Sequence, residues 1–212
     1  NSAAPSMLRA LEWNLNRGEL DVKLAEMGRL YRKEGKSYRE PAVLVLGATG
    51  LAGPKTVRDE GKPFDFYELK ADVAALIAPF DIRPSYEAQE LPAHYLAGRS
   101  ARVLSDQKVL AYFGEVAPAA LKNFKIRQPV FLAEIFADRL EEFSLRPPRY
   151  RPLPRVPAVC RDFSLLVPEG IRFAEIRLAL GRQKHLVSAE PVEIFRGKQV
   201  PQGRYSLLMR VA

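Results

Sequence analysis

The chain of 212 residues is 47% hydrophobic and 27% charged, with a formal net charge of +8; this ordinary globular composition allows one large domain or two smaller ones. One cysteine, Cys160, and two histidines, His94 and His185, exclude an internal disulfide framework and a cysteine-rich zinc site. They also argue against a histidine-based catalytic or metal constellation, and a reducing, cytoplasmic setting is the expectation. No apolar run approaches the roughly 20 residues of a membrane span, so no membrane partner is expected. The charge is uneven: residues 144–212 hold 13 Lys/Arg against 5 Asp/Glu, whereas residues 1–143 hold 20 of each. Excess positive charge confined to the C-terminal third points to a part that meets a polyanion.

In chain order, "APSMLRALEWNLNRG" predicts a helix, with Leu8, Leu11 and Leu15 at helical spacing and Gly18 as its C-cap. Residues 21–34 read as one strand with a bulge at Gly28, and "AVLVLGATG" as a buried strand. Residues 64–80 predict an amphipathic helix with Phe66, Leu69, Val73, Leu76 and Ile77 on one face. "SARVLSDQKVLAYFGEV" reads as strand, turn and strand, and "QPVFLAEIFADRLEEF" as a buried strand ending in a helical turn. Hairpin-joined strands with interspersed helices predict a largely antiparallel α+β domain over 1–145. Residues 146–157, "RPPRYRPLPRVP", carry five prolines and four arginines and predict an extended linker. Beyond it, residues 158–212 predict strand, helix, strand, strand, with Val159, Phe163, Leu165 and Val167 mostly on one face of the first strand. A ferredoxin-like βαββαβ domain needs one further helix and strand, so this domain is expected to be incomplete at its C-terminus.

"VLVLGATGLAG" (43–53) mimics a nucleotide-binding loop, with Gly47, Gly50 and Gly53 after an apolar strand. The context fails. The following "PKTVRDEGKPFDF" is polar and interrupted by proline, and no acidic ribose ligand ends a second strand about 20 residues on. A turn between strands is the expectation, and a dinucleotide-dependent reductase the weakest of the functional readings.

Several segments in register resemble the family of bacterial phenylalanyl-tRNA synthetase β subunits. They are "LEWNLNRGELDVKLAEMGRLYRKEG" (11–35), "FDFYELKADVAAL" (64–76), "AGRSARV" with "YFGEVAPAAL", "VPAVCRDFSLLV" (156–167) and "EPVEIFRGKQVPQGRYSLLMRV" (190–211). The resemblance implies that residues 1–145 adopt a class II synthetase-like fold and that residues 158–212 are an anticodon-binding domain. It also implies an α subunit as partner in an α2β2 heterotetramer, phenylalanine tRNA as ligand, and ATP and Mg²⁺ as requirements of the holoenzyme. "GRLYR" (28–32) is similar to that class's motif 2 strand, with Arg29 or Arg32 near the position of its ATP-binding arginine. Where motif 3 carries glycines, this chain has Ala133, Ile135 and Ala137, so the resemblance implies a non-catalytic module with no cofactor of its own. Arg29, Arg32 and Arg139 are then expected to pair with surface or interface carboxylates. Glu134 and Asp138, four apart, are expected to be structural rather than metal ligands. Ala97 and Ala117 stand where the family commonly has proline and histidine, which bears on turn geometry alone.

The candidate tRNA-binding residues lie in the C-terminal part. Arg196, Lys198 and Arg204 cluster at a hairpin tip and suit phosphate contacts. Tyr205 offers a ring for a base, and Arg161 leads into a neighbouring strand. The bland readings are an Arg161–Asp162 surface pair, a Tyr205 packed at the domain edge and cations that only keep an edge soluble. A free-standing RNA-binding protein on the same scaffold is the alternative function, separable by dependence on an α partner.

Overall fold

The computed structural model describes all residues except 1, 36, 58–59, 149, 151–158, 182 and 184–185, and the side chains of 32 and 34. The chain divides into two compact units, residues 1–148 and 149–212, each described by itself. Most of the stretch read as a linker, 146–157, lies outside the described residues.

The first unit is a six-stranded antiparallel sheet of β1 (Val22–Arg29), β4 (Ala42–Thr49), β8 (Val130–Phe136), β7 (Lys108–Val116), β6 (Tyr95–Ser105) and β5 (Ser85–Glu87), neighbours in that order, with a helix against each face. Helix α1 (Ala4–Leu15) begins with Pro5 in its first turn, where the missing amide costs nothing. It buries Met7, Leu8 and Leu11 on the sheet. Its C-cap is Asn16, and Gly18, at φ +88°, turns the chain away two residues later. Strand β1 (Val22–Arg29) pairs with β4 (Ala42–Thr49) without a break through Gly28 and Val43, so Gly28 marks no bulge. The segment read as one strand to residue 34 divides instead. Leu30 donates its amide to Pro41, and a separate hairpin forms from β2 (Arg32–Glu34) and β3 (Ser37–Arg39).

Helix α2 (Phe66–Ile77) starts at Asp65, whose carboxylate accepts the amides of Tyr67 and Glu68 at 2.8 and 3.0 Å. Its Leu69, Val73 and Ile77 are buried and Phe66 is half-buried, but Leu76 is exposed. Leu76 lines an open groove of about 410 Å³ with Leu46 and Phe64, where none of the described residues covers α2 beside β1 and β4. A short β5 (Ser85–Glu87) edges the sheet, followed by the long hairpin β6 (Tyr95–Ser105) and β7 (Lys108–Val116). That hairpin turns through Asp106 and Gln107, both at positive φ, the geometry that suits the twist of the flanking strands. After α3 (Pro118–Leu121) comes β8 (Val130–Phe136), buried on both faces, and then the single turn α4 (Ala137–Leu140).

The second unit consists of β9 (Arg161–Pro168), α5 (Phe173–Leu180), β10 (Ala189–Phe195) and β11 (Arg204–Val211). Its sheet order is β10-β11-β9, all antiparallel neighbours, which makes β9 and β10 parallel with β11 between them. Helix α5 is entered through a Glu175 carboxylate that accepts the Arg172 amide at 3.1 Å. Phe163, Leu165 and Val167 alternate onto the helix side, whereas Val159 precedes the strand and is exposed. Val167, Tyr205, Leu207 and Met209 form a small core with Phe173, Ile176 and Leu180.

The glycines of 43–53 serve packing and turning. Strand β4 runs into a turn rather than a helix, and a Cβ on Gly47 would lie 2.5 Å from Met7 of α1. Gly50 sits at φ +83°, where a Cβ would meet the Leu20 carbonyl at 2.3 Å, whereas Gly53 faces open space. Gly50→Ala is therefore expected to cost at least about 2 kcal/mol in urea unfolding, and Gly53→Ala less than about 0.5 kcal/mol. Equal costs at both positions would show that the turn does not require its glycine.

Candidate functional site

Strand β8 decides what the first unit can hold. Phe131, Ala133 and Ile135 project toward α2, while Val130, Leu132 and Glu134 project toward α1. On the α2 side the space over Ala133 and Ile135 is filled. Phe66 stacks on Phe113 at 5.2 Å, Phe64 tilts against Phe131 at 5.7 Å, and Leu69, Val73 and Ile77 complete the layer. Over β8 this side is occupied by side chains, and its open space lies instead beside β1 and β4, in the groove of about 410 Å³ that Leu76 lines.

Two of the arginines expected to pair with carboxylates, Arg29 and Arg139, bond to carbonyls within the unit. Arg29 is exposed and donates Nη1 to the Glu40 carbonyl at 3.2 Å. Arg139 donates to the Val109 carbonyl and lies over the Phe136 ring at 4.3 Å. Arg32 stands in β2, apart from both, and only its backbone is described. Asp138 accepts the Ala42 amide at 2.9 Å, fastening α4 to β4.

Glu134 is 3% exposed and is bound to the start of α1. Ser2 Oγ and the Ala3 amide each donate to its Oε1 at 2.8 Å, so a carboxylate from the sheet does the work of a helix cap at an Ala3 that has none. His94 Nε2 stands 3.5 Å from Oε2, an electrostatic neighbour when charged rather than a well-formed hydrogen bond. Burial alone would raise the pKa of Glu134; His94, the Ser2 hydroxyl and the Ala3 amide outweigh it and hold the carboxyl below its ordinary value.

In the second unit the five candidate residues separate. Arg196, just after β10, is clamped by Glu169 through Nε and Nη2 at 3.0 and 3.1 Å. Tyr205 is only 6% exposed; its hydroxyl donates to the Ile171 carbonyl at 3.0 Å and its ring packs in the core with Arg196 at 5.1 Å. That ring offers no face to a base, which corrects the stacking role expected of Tyr205. Lys198 and Arg204 are exposed on either side of the turn and, among the described residues, take no carboxylate. Arg161 is exposed and donates to its neighbour's carbonyl, Cys160, at 3.0 Å. It does not pair with Asp162, which is held bidentate by Arg210 at 2.8 Å. Arg210 keeps the Asp162 carboxyl below its usual range, as Arg196 does that of Glu169.

Among the described residues of this unit, none covers the sheet face away from α5. Register places Phe195, Ser206 and Leu166 in one row across it, and Glu193, Leu208 and Ser164 in the next. Phe195 is 47% exposed although Gly197 lies against its ring edge, and Ser164 and Ser206 share a hydrogen bond at 3.1 Å. An exposed ring and two leucines on an open sheet, with free cations at one end, form a surface that unstacked bases and phosphates can occupy together.

Comparison with known proteins bears on both units. Residues 1–137 match the family model described as the phenylalanyl tRNA synthetase beta chain CLM domain, and residues 154–212 match the ferredoxin-fold anticodon binding domain. The chain belongs to the phenylalanyl-tRNA synthetase β-chain family. It is similar to the phenylalanine–tRNA ligase β subunits of Thermotoga maritima (30% identity over 97% of this chain and 26% of the relative) and Geobacter sulfurreducens (33%, 98% and 26%). That of Novosphingobium aromaticivorans is 34% identical over 99% of this chain and 28% of the relative. The chain thus spans about a quarter of the length of these relatives.

Within this synthetase family chain, the residues that sequence reading missed are Phe195, Leu166 and Leu208. The doublets Leu165-Leu166 and Leu207-Leu208 carried the signal, since successive strand residues face opposite ways and one leucine of each pair must leave the core. Two outcomes follow from the geometry. Tyr205→Phe is expected to lower stability by about 1 kcal/mol, read by urea unfolding, through loss of its bond to Ile171. Glu134→Gln is expected to cost about 1–3 kcal/mol at neutral pH. The folded pKa of Glu134 is depressed, so its contribution is complete above the ordinary carboxylate range and is lost as pH falls through the folded value. The gap between wild type and Glu134→Gln therefore narrows toward acid, and a constant gap would exclude a role for its charge.

Proposed function

We propose that this chain works within the β subunit of a phenylalanine–tRNA ligase as a non-catalytic assembly and tRNA-positioning element. The observation that carries the reading is the pairing, in one chain, of a sheet whose β8 strand is buried by side chains on both faces with a unit that matches an anticodon-binding domain and leaves one sheet face open among the described residues. Residues 1–145 are read as a class II synthetase-like module that packs against the α subunit of an α2β2 assembly. That partner would carry the chemistry: ATP and Mg²⁺ activate phenylalanine as the adenylate, which is then transferred to tRNA. Residues 158–212 hold the anticodon stem-loop of phenylalanine tRNA. A ligase serving translation works in the cytoplasm, and none of the described helices is long and apolar enough to cross a membrane.

Lys198, Arg204 and Arg161 contribute phosphate contacts, which give affinity and its salt dependence. Phe195, with Leu166 and Leu208, gives unstacked bases an apolar seat. Glu193, on the same face, accepts hydrogen bonds from base N–H groups, which phosphate contacts alone cannot read. Arg196, engaged with Glu169, holds the loop instead.

The reading is tested with the α–β assembly and phenylalanine tRNA. Replacing Lys198 and Arg204 with Ala is expected to flatten the log–log salt slope of binding by about 0.7–0.9 for each phosphate no longer neutralised. Phe195→Ala is expected to weaken binding by about 1–3 kcal/mol with the slope retained. Failure of the chain to assemble with α would favour a free-standing RNA-binding protein, and unchanged tRNA affinity in both variants would remove this surface from the interface.

A further inference from the structure

A second group of unpaired cations sits on the first unit. The segment 117–129, "APAALKNFKIRQP", holds Lys122, Lys125 and Arg127 and no acid. Helix α3 passes into a 3-10 turn, Lys122–Phe124, which Lys125 closes at φ +52°, a left-handed conformation uncommon for a residue with a Cβ. Leu121 and Ile126 are buried and Phe124 is half-buried, so the apolar residues anchor the turn while the three cations face solvent. Among the described residues none of the three has a carboxylate partner.

Their bland explanation is neutralisation of the negative end of α1, which ends beside them. The carbonyls of that end are already engaged. Glu12 O accepts from the Asn16 amide, Trp13 O from Arg17 Nη1, Asn14 O from the amides of Arg17 and Glu19, and Leu15 O from that of Gly18. The cations are therefore not helix caps. Between α1 and the turn runs a groove of about 490 Å³ whose walls include Leu15, Asn16, Lys125 and Arg127, with Glu12 as the carboxylate among its described residues. Next to Asn16, Arg17 lays its guanidinium 3.5 Å from the centroid of Trp13, an indole 56% exposed. Free cations on a fixed turn complement phosphates, and a cation-backed exposed indole suits a base. An acidic peptide would use the first feature and leave the second idle.

We infer that this corner of the first unit is a second RNA-contact site, taking the phosphodiester backbone on Lys122, Lys125 and Arg127 and an unpaired base on the Trp13–Arg17 stack. The inference rests on the reading that the assembly binds tRNA, and it concerns a surface separate from the anticodon-binding unit.

The test measures tRNA affinity of the α–β assembly across about 50–200 mM salt for wild type, K122A/K125A/R127A, K122R/K125R, Trp13→Ala and K198A/R204A. The triple variant is expected to bind more weakly, with a slope shallower by up to about 2–2.7, roughly 0.7–0.9 for each of three phosphates. K122R/K125R should bind like wild type. Trp13→Ala should weaken binding about 5- to 150-fold with the slope retained. If the triple variant melts early, Lys125→Ala and Trp13→Ala decide by the same readings. A wild-type slope and affinity in the triple variant would overturn the inference, and if K198A/R204A still flattens the slope, the functional reading survives alone. Loss of α assembly with an intact salt slope would assign the surface to a protein partner and also overturn it. Absence of measurable tRNA binding by the wild-type assembly would overturn both.

Discussion

The burial of β8 on both faces governs the first unit. A strand flanked by β4 and β7, with α1 on one side and α2 on the other, must fill each side with its own residues. Ala133 and Ile135 admit the rings of Phe66 and Phe113 on one side. On the other, Gly47 of the adjacent strand lets Met7 approach closely. Glu134 is the one charge in this strand, and it persists there because Ser2 and Ala3 supply the hydrogen bonds that water would otherwise give. The same carboxylate ties the N-terminus of α1 to the sheet, so helix docking and charge burial are one interaction. Over β8 both faces are spent on packing, and the open space on the α2 side lies beside β1 and β4.

The second unit divides its labour differently. One helix covers one face of three strands, and the small core of Val167, Tyr205, Leu207 and Met209 lies wholly under it. The opposite face keeps Phe195, Leu166 and Leu208 beside two serines that bond to each other across the strands. Apolar side chains gathered on an open sheet face bury little area on folding and gain that burial only against a partner, which is the physical case for regarding the face as a contact surface. Two bidentate pairs, Arg196–Glu169 and Arg210–Asp162, span elements of the unit. These pairs are exposed and weak individually, but they fix two guanidiniums in position and remove them from the pool of cations open to a polyanion.

Much of the architecture was legible in the residues. The periodicity of α1 and α2, the continuous apolar runs of β4 and β8 and the polar turn between β6 and β7 each carried a local signal that tertiary packing did not override. The misreadings have physical causes. Gly28 looked like a bulge, but its pairing with Val43 is regular, and the interruption lies two residues later where Leu30 bonds back to Pro41. Leu76 matched the apolar stripe of α2, yet that edge of the helix overhangs an open groove. Tyr205 follows the cationic tip in sequence, but strand alternation turns it inward while Arg204 turns outward. Which face of a strand meets the helix is set by partners distant in sequence, so alternation could pair Tyr205 with Leu207 and Met209 without saying that this set was the buried one.

Charge shows the same limit. Counting residues assigns the whole excess of +8 to residues 144–212, and makes residues 1–143 neutral. Pairing redistributes it. In the second unit, Arg196 and Arg210 are neutralised by Glu169 and Asp162, and Arg172 lies beside Glu175. In the neutral part, Lys23, Lys62, Arg99, Arg102 and Lys108 are each taken by a carboxylate, while Lys122, Lys125 and Arg127 are not, among the described residues. A polyanion responds to cations that are free and held close together, because only those release its counterions without first breaking a bond within the protein. By that criterion the two units are more alike than their net charges suggest. Each presents cations at a turn that take no carboxylate among the described residues, and each also carries an exposed aromatic ring: Phe195 in one, Trp13 in the other.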